Sequence, residues 1–119
     1  MRRIVSVFAV TSAMLLTAGA ASAQDDGLAG LHAKVRVGNK ICMADHFHSG
    51  SAAGHDTRKK AEAAAAADWA GFTSWEYGAH WGSFALAETK RMSCQQAGGW
   101  SCTVEARPCR RGVSQPKRK

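Results

Sequence analysis

The stretch Asp56-Thr57-Arg58-Lys59-Lys60-Ala61-Glu62-Ala63-Ala64-Ala65-Ala66-Ala67-Asp68-Trp69-Ala70-Gly71-Phe72-Thr73-Ser74-Trp75-Glu76-Tyr77-Gly78 decides the architecture. Its interior is rich in alanine, the residue that loses least on entering a helix. Asp56 or Thr57 supplies an N-cap, and Gly78 stands where a left-handed residue ends a helix, so the spacing predicts a helix from about Thr57 to Tyr77. At about 100° per residue, Ala61, Ala65, Trp69, Phe72 and Trp75 fall within one broad face, the expected core side. Asp68 and Glu76 fall in the same stripe, where a carboxylate needs a partner. Arg36, Lys90, Arg91 or a backbone group near the helix end would serve. As a catalytic pair they are poorly placed, because eight helical residues separate them by about 12 Å along the axis.

Outward from the helix the periodicity changes to that of strands. On the C-terminal side, Phe84 to Cys94 and Trp100 to Arg107 read as extended runs around Gly98-Gly99, and Trp100, Cys102, Val104 and Ala106 share one parity. That pattern is a hairpin, and a turn centred on Gly98 sets Cys94 opposite Cys102. On the N-terminal side, Ala33 to Val37 alternates like a half-buried strand, and Gly38-Asn39 reads as a turn. Ile41 to His48 reads as a second extended piece, and Ser49 to Gly54 as a flexible loop. The expected fold is α+β: one long helix packed on a small antiparallel sheet and stapled by disulfides.

The two ends differ from this middle. Met1-Arg2-Arg3, an apolar run from Ile4 to Leu16 and the small-residue end Ala21-Ser22-Ala23 have the three parts of an export signal, so residues 1–23 are expected to be cleaved, leaving no transmembrane segment. The remainder divides into a domain over residues 24–109 and a disordered basic tail over residues 110–119. Six Lys and Arg and no acid lie from Arg107 onward, against eight Lys and Arg and nine Asp and Glu over residues 24–106. An exported chain of this size buries only a thin core, and its even number of cysteines, four, reads as two disulfides. Three connectivities are open; the hairpin favours Cys94 with Cys102, which leaves Cys42 with Cys109. Without a C-x-x-C pair the cysteines support neither a zinc knuckle nor a thiol-redox centre.

A resemblance adds to this reading. Lys59 to Gly78, with Trp69, Phe72-Thr73 and Trp75-Glu76-Tyr77-Gly78, then Trp81 and Cys102-x-Val104-Glu105-Ala106-Arg107-Pro108-Cys109, resembles short exported proteins of Gram-negative bacteria that carry no assigned function. The resemblance implies an exported protein and brings no activity with it, so it changes no site assignment.

Chemistry-bearing residues are few. His46 and His48 lie two apart on an extended run, and His55 stands a loop away, so the three form a candidate zinc or copper site. Arg58, Lys59 and Lys60 occupy the first helical turn, against the helix dipole, a placement that invites an anion. The tail residues Arg110, Arg111, Lys117, Arg118 and Lys119 suit anionic lipid or lipopolysaccharide. The four tryptophans read mainly as core, with one left for a surface contact. No nucleotide loop, nucleophile elbow or H-E-x-x-H helix is present in the sequence. The expectation is a non-catalytic periplasmic or secreted interaction protein held on anionic envelope surfaces by its tail; a histidine-based metal-binding protein is the alternative.

Overall fold

The computed structural model describes residues 27–112. The export signal expected over residues 1–23 and the tail residues Lys117, Arg118 and Lys119 lie outside them. The described chain is α+β, with one α-helix, α1 (Arg58–Tyr77), and two three-stranded antiparallel sheets. The first sheet joins β1 (Lys34–Val37), β2 (Lys40–Met43) and β6 (Cys109–Arg111) in the order β1-β2-β6. The second joins β3 (His48–His55), β4 (Glu88–Gln96) and β5 (Trp100–Arg107) in the order β3-β5-β4. The expected single sheet is thus two, and the extended run from Ile41 stops at Met43, from which residues 44–47 cross to the second sheet.

The helix forms as its sequence dictates. Thr57, with extended backbone, accepts a hydrogen bond from Lys60 N at 3.2 Å, and Gly78, at φ 97°, donates its own N–H to Ser74 O at 2.8 Å. Its buried row is Ala61, Ala65, Trp69, Thr73 and Tyr77, a strict i+4 series. The broader face expected from the sequence placed Phe72 and Trp75 inward, yet they are 45% and 81% exposed. The strand below explains the correction. Segment 49–54, expected as a loop, is the middle of β3, and the helix backbone lies directly on it: a Cβ on Gly50 would come within 2.5 Å of Trp69 N. Residues that are small for close approach look, in sequence, like residues that are small for flexibility.

Two apolar clusters result. Ala61, Ala65 and Trp69 meet Cys102, Val104 and Ala106 of β5, the parity expected for that strand, and Trp69 Nε1 donates to Ala106 O at 3.2 Å. Ala29, Met43, Tyr77 and Trp81, with Ile41 beside them, form the second cluster where the first sheet meets the helix end. The β4–β5 hairpin turns through Gly98 and Gly99, both at positive φ, with Cys94 opposite Cys102. β4 begins at Glu88, later than the expected Phe84, and its register shifts between Glu88 and Arg91 around Thr89, at φ 53°. Both expected disulfides are present, Cys94–Cys102 within the hairpin and Cys42–Cys109 across β2 and β6. Arg110 and Arg111, expected in a disordered tail, are paired strand residues of β6.

Candidate functional site

The densest polar cluster lies where β3 passes under the end of α1. Thr73 is fully buried, and its hydroxyl donates to Trp69 O, one turn back, at 2.7 Å. With its proton so used, the hydroxyl accepts from His48 Nδ1 at 2.9 Å, which assigns the ring proton to Nδ1. Glu76 Oε2 stands 3.0 Å from the other ring nitrogen, which is buried without a hydrogen-bond partner, so the carboxylate attracts the ring there only in its protonated form. Burial lowers the His48 pKa; the Glu76 carboxylate opposes that shift, and His46 and His32 add to it. His48 also stacks on Tyr77 with ring centroids 4.6 Å apart, and Tyr77 is pushed up to about 12 by burial and by Glu76.

Hydroxyl, imidazole and carboxylate in series is also the order of groups in nucleophilic catalysis. Here the hydroxyl is sealed in the core and committed to a helix carbonyl, so the series ties β3 to α1 and presents no nucleophile to solvent. Glu76 therefore lies against a histidine, rather than against Arg36, Lys90 or Arg91. Asp68 is likewise satisfied without those cations, accepting from Ser51 N on β3 at 2.9 Å.

The metal set of His46, His48 and His55 is not assembled. His46 and His48 are neighbours, with centroids 5.2 Å apart, but His55 pairs with Trp100 at the far end of β3, about 20 Å along the strand. The third histidine of the cluster is His32, stacked on His46 at 4.3 Å. Nothing in the spacing of His32 and His46 pointed to that pairing, which is made by the second apolar cluster. Among the described residues no group of three or more His, Cys, Asp or Glu side chains is placed to hold a metal ion.

The basic residues divide differently from the expectation. At the helix start Arg58 pairs with Glu62 at 2.8 Å and Lys60 with Asp56 at 3.0 Å, so two of the three first-turn cations are already neutralised. The first sheet is another matter. Its eleven strand residues include Lys34, Arg36, Lys40, Arg110 and Arg111 and no acid. Lys40 is paired with Glu88, whose carboxyl it holds below the usual range by hydrogen bond and charge. Lys34, Arg36, Arg110 and Arg111 have no acidic partner among the described residues. Register aligns Arg36 and Arg110 on either side of Ile41, hence on one face and about 10 Å apart. Arg110 is braced over the Trp81 ring at 5.4 Å. Arg36, considered from the sequence only as an ion-pair partner, thus belongs to a basic sheet at the root of the basic tail. The alternation Lys34-Val35-Arg36-Val37 signalled the strand; only the pairing of β6 with β2 revealed the patch.

Trp69 and Trp81 are fully buried and Trp100 is half-buried beside the Arg58 guanidinium at 6.0 Å, which leaves Trp75 as the exposed tryptophan. The outer face of the second sheet is a shallow groove of about 450 Å³ bordered by Ser49, Ser51, Arg91, Thr103 and Glu105. No helix of the described residues is long and apolar enough to cross a membrane. No protein-family model, curated protein or solved structure matches this chain.

Proposed function

We propose that the protein is a non-catalytic interaction domain of the periplasm or the extracellular space, held on anionic envelope surfaces by the basic sheet β1-β2-β6 together with the chain that follows it. The observation that carries this reading is the set of four cations without acidic partners on a sheet whose strands contain no acid, with Lys34, Arg36 and Arg110 on one face by register and Arg111 on the other. Lys117, Arg118 and Lys119 follow the same sheet in sequence and add three cations. The two disulfides fit an oxidising compartment, as do the export-signal pattern of residues 1–23 and the resemblance to short exported proteins of Gram-negative bacteria.

Each basic residue near an anionic bilayer contributes about 1 kcal/mol, screened within a Debye length. The protein is expected to co-sediment with vesicles containing phosphatidylglycerol, to release as salt rises, and to ignore neutral phosphatidylcholine vesicles. Reversing Lys34 and Arg36 to Glu is expected to weaken binding by at least about a hundredfold. Truncation after Gly112 leaves β6 intact and is expected to weaken it less. Equal binding to neutral vesicles, or undiminished binding by the charge-reversed variant, would overturn the proposal.

A further inference from the structure

The short helical turn Gly27–Leu31, which leads into β1, carries no polar side chain. Its side chains are inverted for a surface segment. Ala29, the smaller, is fully buried with Met43, Tyr77 and Trp81, while Leu28 and Leu31 are 49% and 81% exposed. The turn sits tight against the end of α1: a Cβ on Gly27, at φ 47°, would come within 2.5 Å of Glu76 O. Beyond it, His32 N donates to Ala29 O at 3.2 Å, the His32 ring stacks on His46, and Ala33 O accepts from Ala44 N at 2.9 Å. The two leucines are thus held outward on a braced backbone rather than on a loose end.

Cations border the leucines. Lys34 Nζ donates to His32 O at 3.4 Å, which sets the ammonium beside the residue that follows Leu31, and it has no acidic partner among the described residues. Register puts Lys34, Arg36 and Arg110 on the face of Ile41 and Met43, with Arg110 over the Trp81 ring. Met43 and Trp81 belong to the same apolar cluster into which Ala29 is set. The leucines and the unpaired cations therefore rim one cluster on one side of the first sheet. A single exposed leucine is ordinary. Exposed leucines joined to unpaired cations supply the two components, apolar area and positive charge, that hold a peripheral protein on an anionic bilayer.

We propose that Leu28 and Leu31 enter the acyl region of an anionic phospholipid bilayer while Lys34, Arg36 and Arg110 lie at its headgroups. Resting on the anionic contact proposed above, this mode of binding narrows it to one surface, because a polyanion without acyl chains satisfies the cations and leaves the leucines in water. The turn is already ordered, so insertion costs little conformational entropy. Salt screens the headgroup contact and spares the burial of the leucines.

Surface pressure under a phosphatidylglycerol monolayer tests insertion directly. The wild-type protein is expected to raise the pressure, and the double variant Leu28→Ser/Leu31→Ser to leave it nearly unchanged. In co-sedimentation with phosphatidylglycerol vesicles each single substitution is expected to weaken binding about tenfold. Elution from heparin, a polyanion without acyl chains, is expected at the same salt concentration for wild type and variants. Both side chains are exposed, so the variants keep the wild-type Tm. Equal monolayer pressure and equal vesicle binding by wild type and double variant would overturn insertion while leaving the basic contact standing. A wild-type protein that ignores anionic vesicles overturns both. A concentration-dependent dimer that Leu31→Ser abolishes would make a second copy the cover of these side chains, and overturns insertion equally.

Discussion

His48 holds two elements together through one hydrogen bond and the packing of a buried ring. Its Nδ1–H reaches the Thr73 hydroxyl and its other nitrogen lies against Glu76, while the ring is packed between Phe72 and Tyr77. Burial holds its pKa below the unfolded value of 6.5, so the unfolded chain takes up a proton that the folded chain refuses. Stability linked to His48 is therefore complete above about pH 6.5 and is lost as pH falls from there through the lowered folded pKa. His46 and His32, stacked alongside, face the same ring from the connection after β2 and from the segment before β1, and Glu76 faces it from α1. The midpoint of urea denaturation is expected to be lower at pH 5 than at pH 7.5, and His48→Gln should flatten that difference. An equal drop in wild type and variant would place the acid sensitivity elsewhere.

At the scale of elements, the helix and the strand beneath it were unequally legible. Thr57 to Tyr77 was readable because capping, alanine content and the terminal glycine all act locally. Which of its faces is buried was not, because α1 follows the twist of the β3-β5-β4 sheet along an i+4 row and so selects Thr73 and Tyr77 over the larger Phe72 and Trp75. β3 was invisible as a strand because its central residues are Ser, Gly and Ala, sized for contact with a helix backbone. That tight seam makes Gly50 a sensitive position. Gly50→Ala puts a methyl group against the Trp69 backbone, which no rotamer change relieves, and is expected to destabilise by about 2–3 kcal/mol. Gly30→Ala, where a Cβ meets nothing within 4 Å, is the control; similar losses in both variants, measured by thermal unfolding, would refute the seam. Similarly, the hairpin and its disulfide were readable from parity about Gly98, whereas the basic sheet and the placement of His32 depend on contacts between residues far apart in sequence.

For the molecule as a whole, the two disulfides act over very different lengths. Cys94–Cys102 closes a separation of 8 residues inside one hairpin; Cys42–Cys109 closes 67 and encloses β3, α1, β4 and β5. Loop-closure entropy alone gives about 2.5 kcal/mol for the short link and about 4.5 kcal/mol for the long one. Replacing Cys42 and Cys109 by Ala is accordingly expected to lower stability by about 2 kcal/mol more than replacing Cys94 and Cys102. Chemical denaturation of the two double variants measures the difference, and the reverse order would show that packing at the bridges outweighs chain entropy. The long link has a mechanical consequence as well. A pull on the chain before β1 and after β6 travels through β1, β2 and the sulfur–sulfur bond, and the helix with its sheet hangs between the two cysteines as a slack loop. Tension on a tethered end is therefore borne by the first sheet and one covalent bond, while the greater part of the fold feels no load.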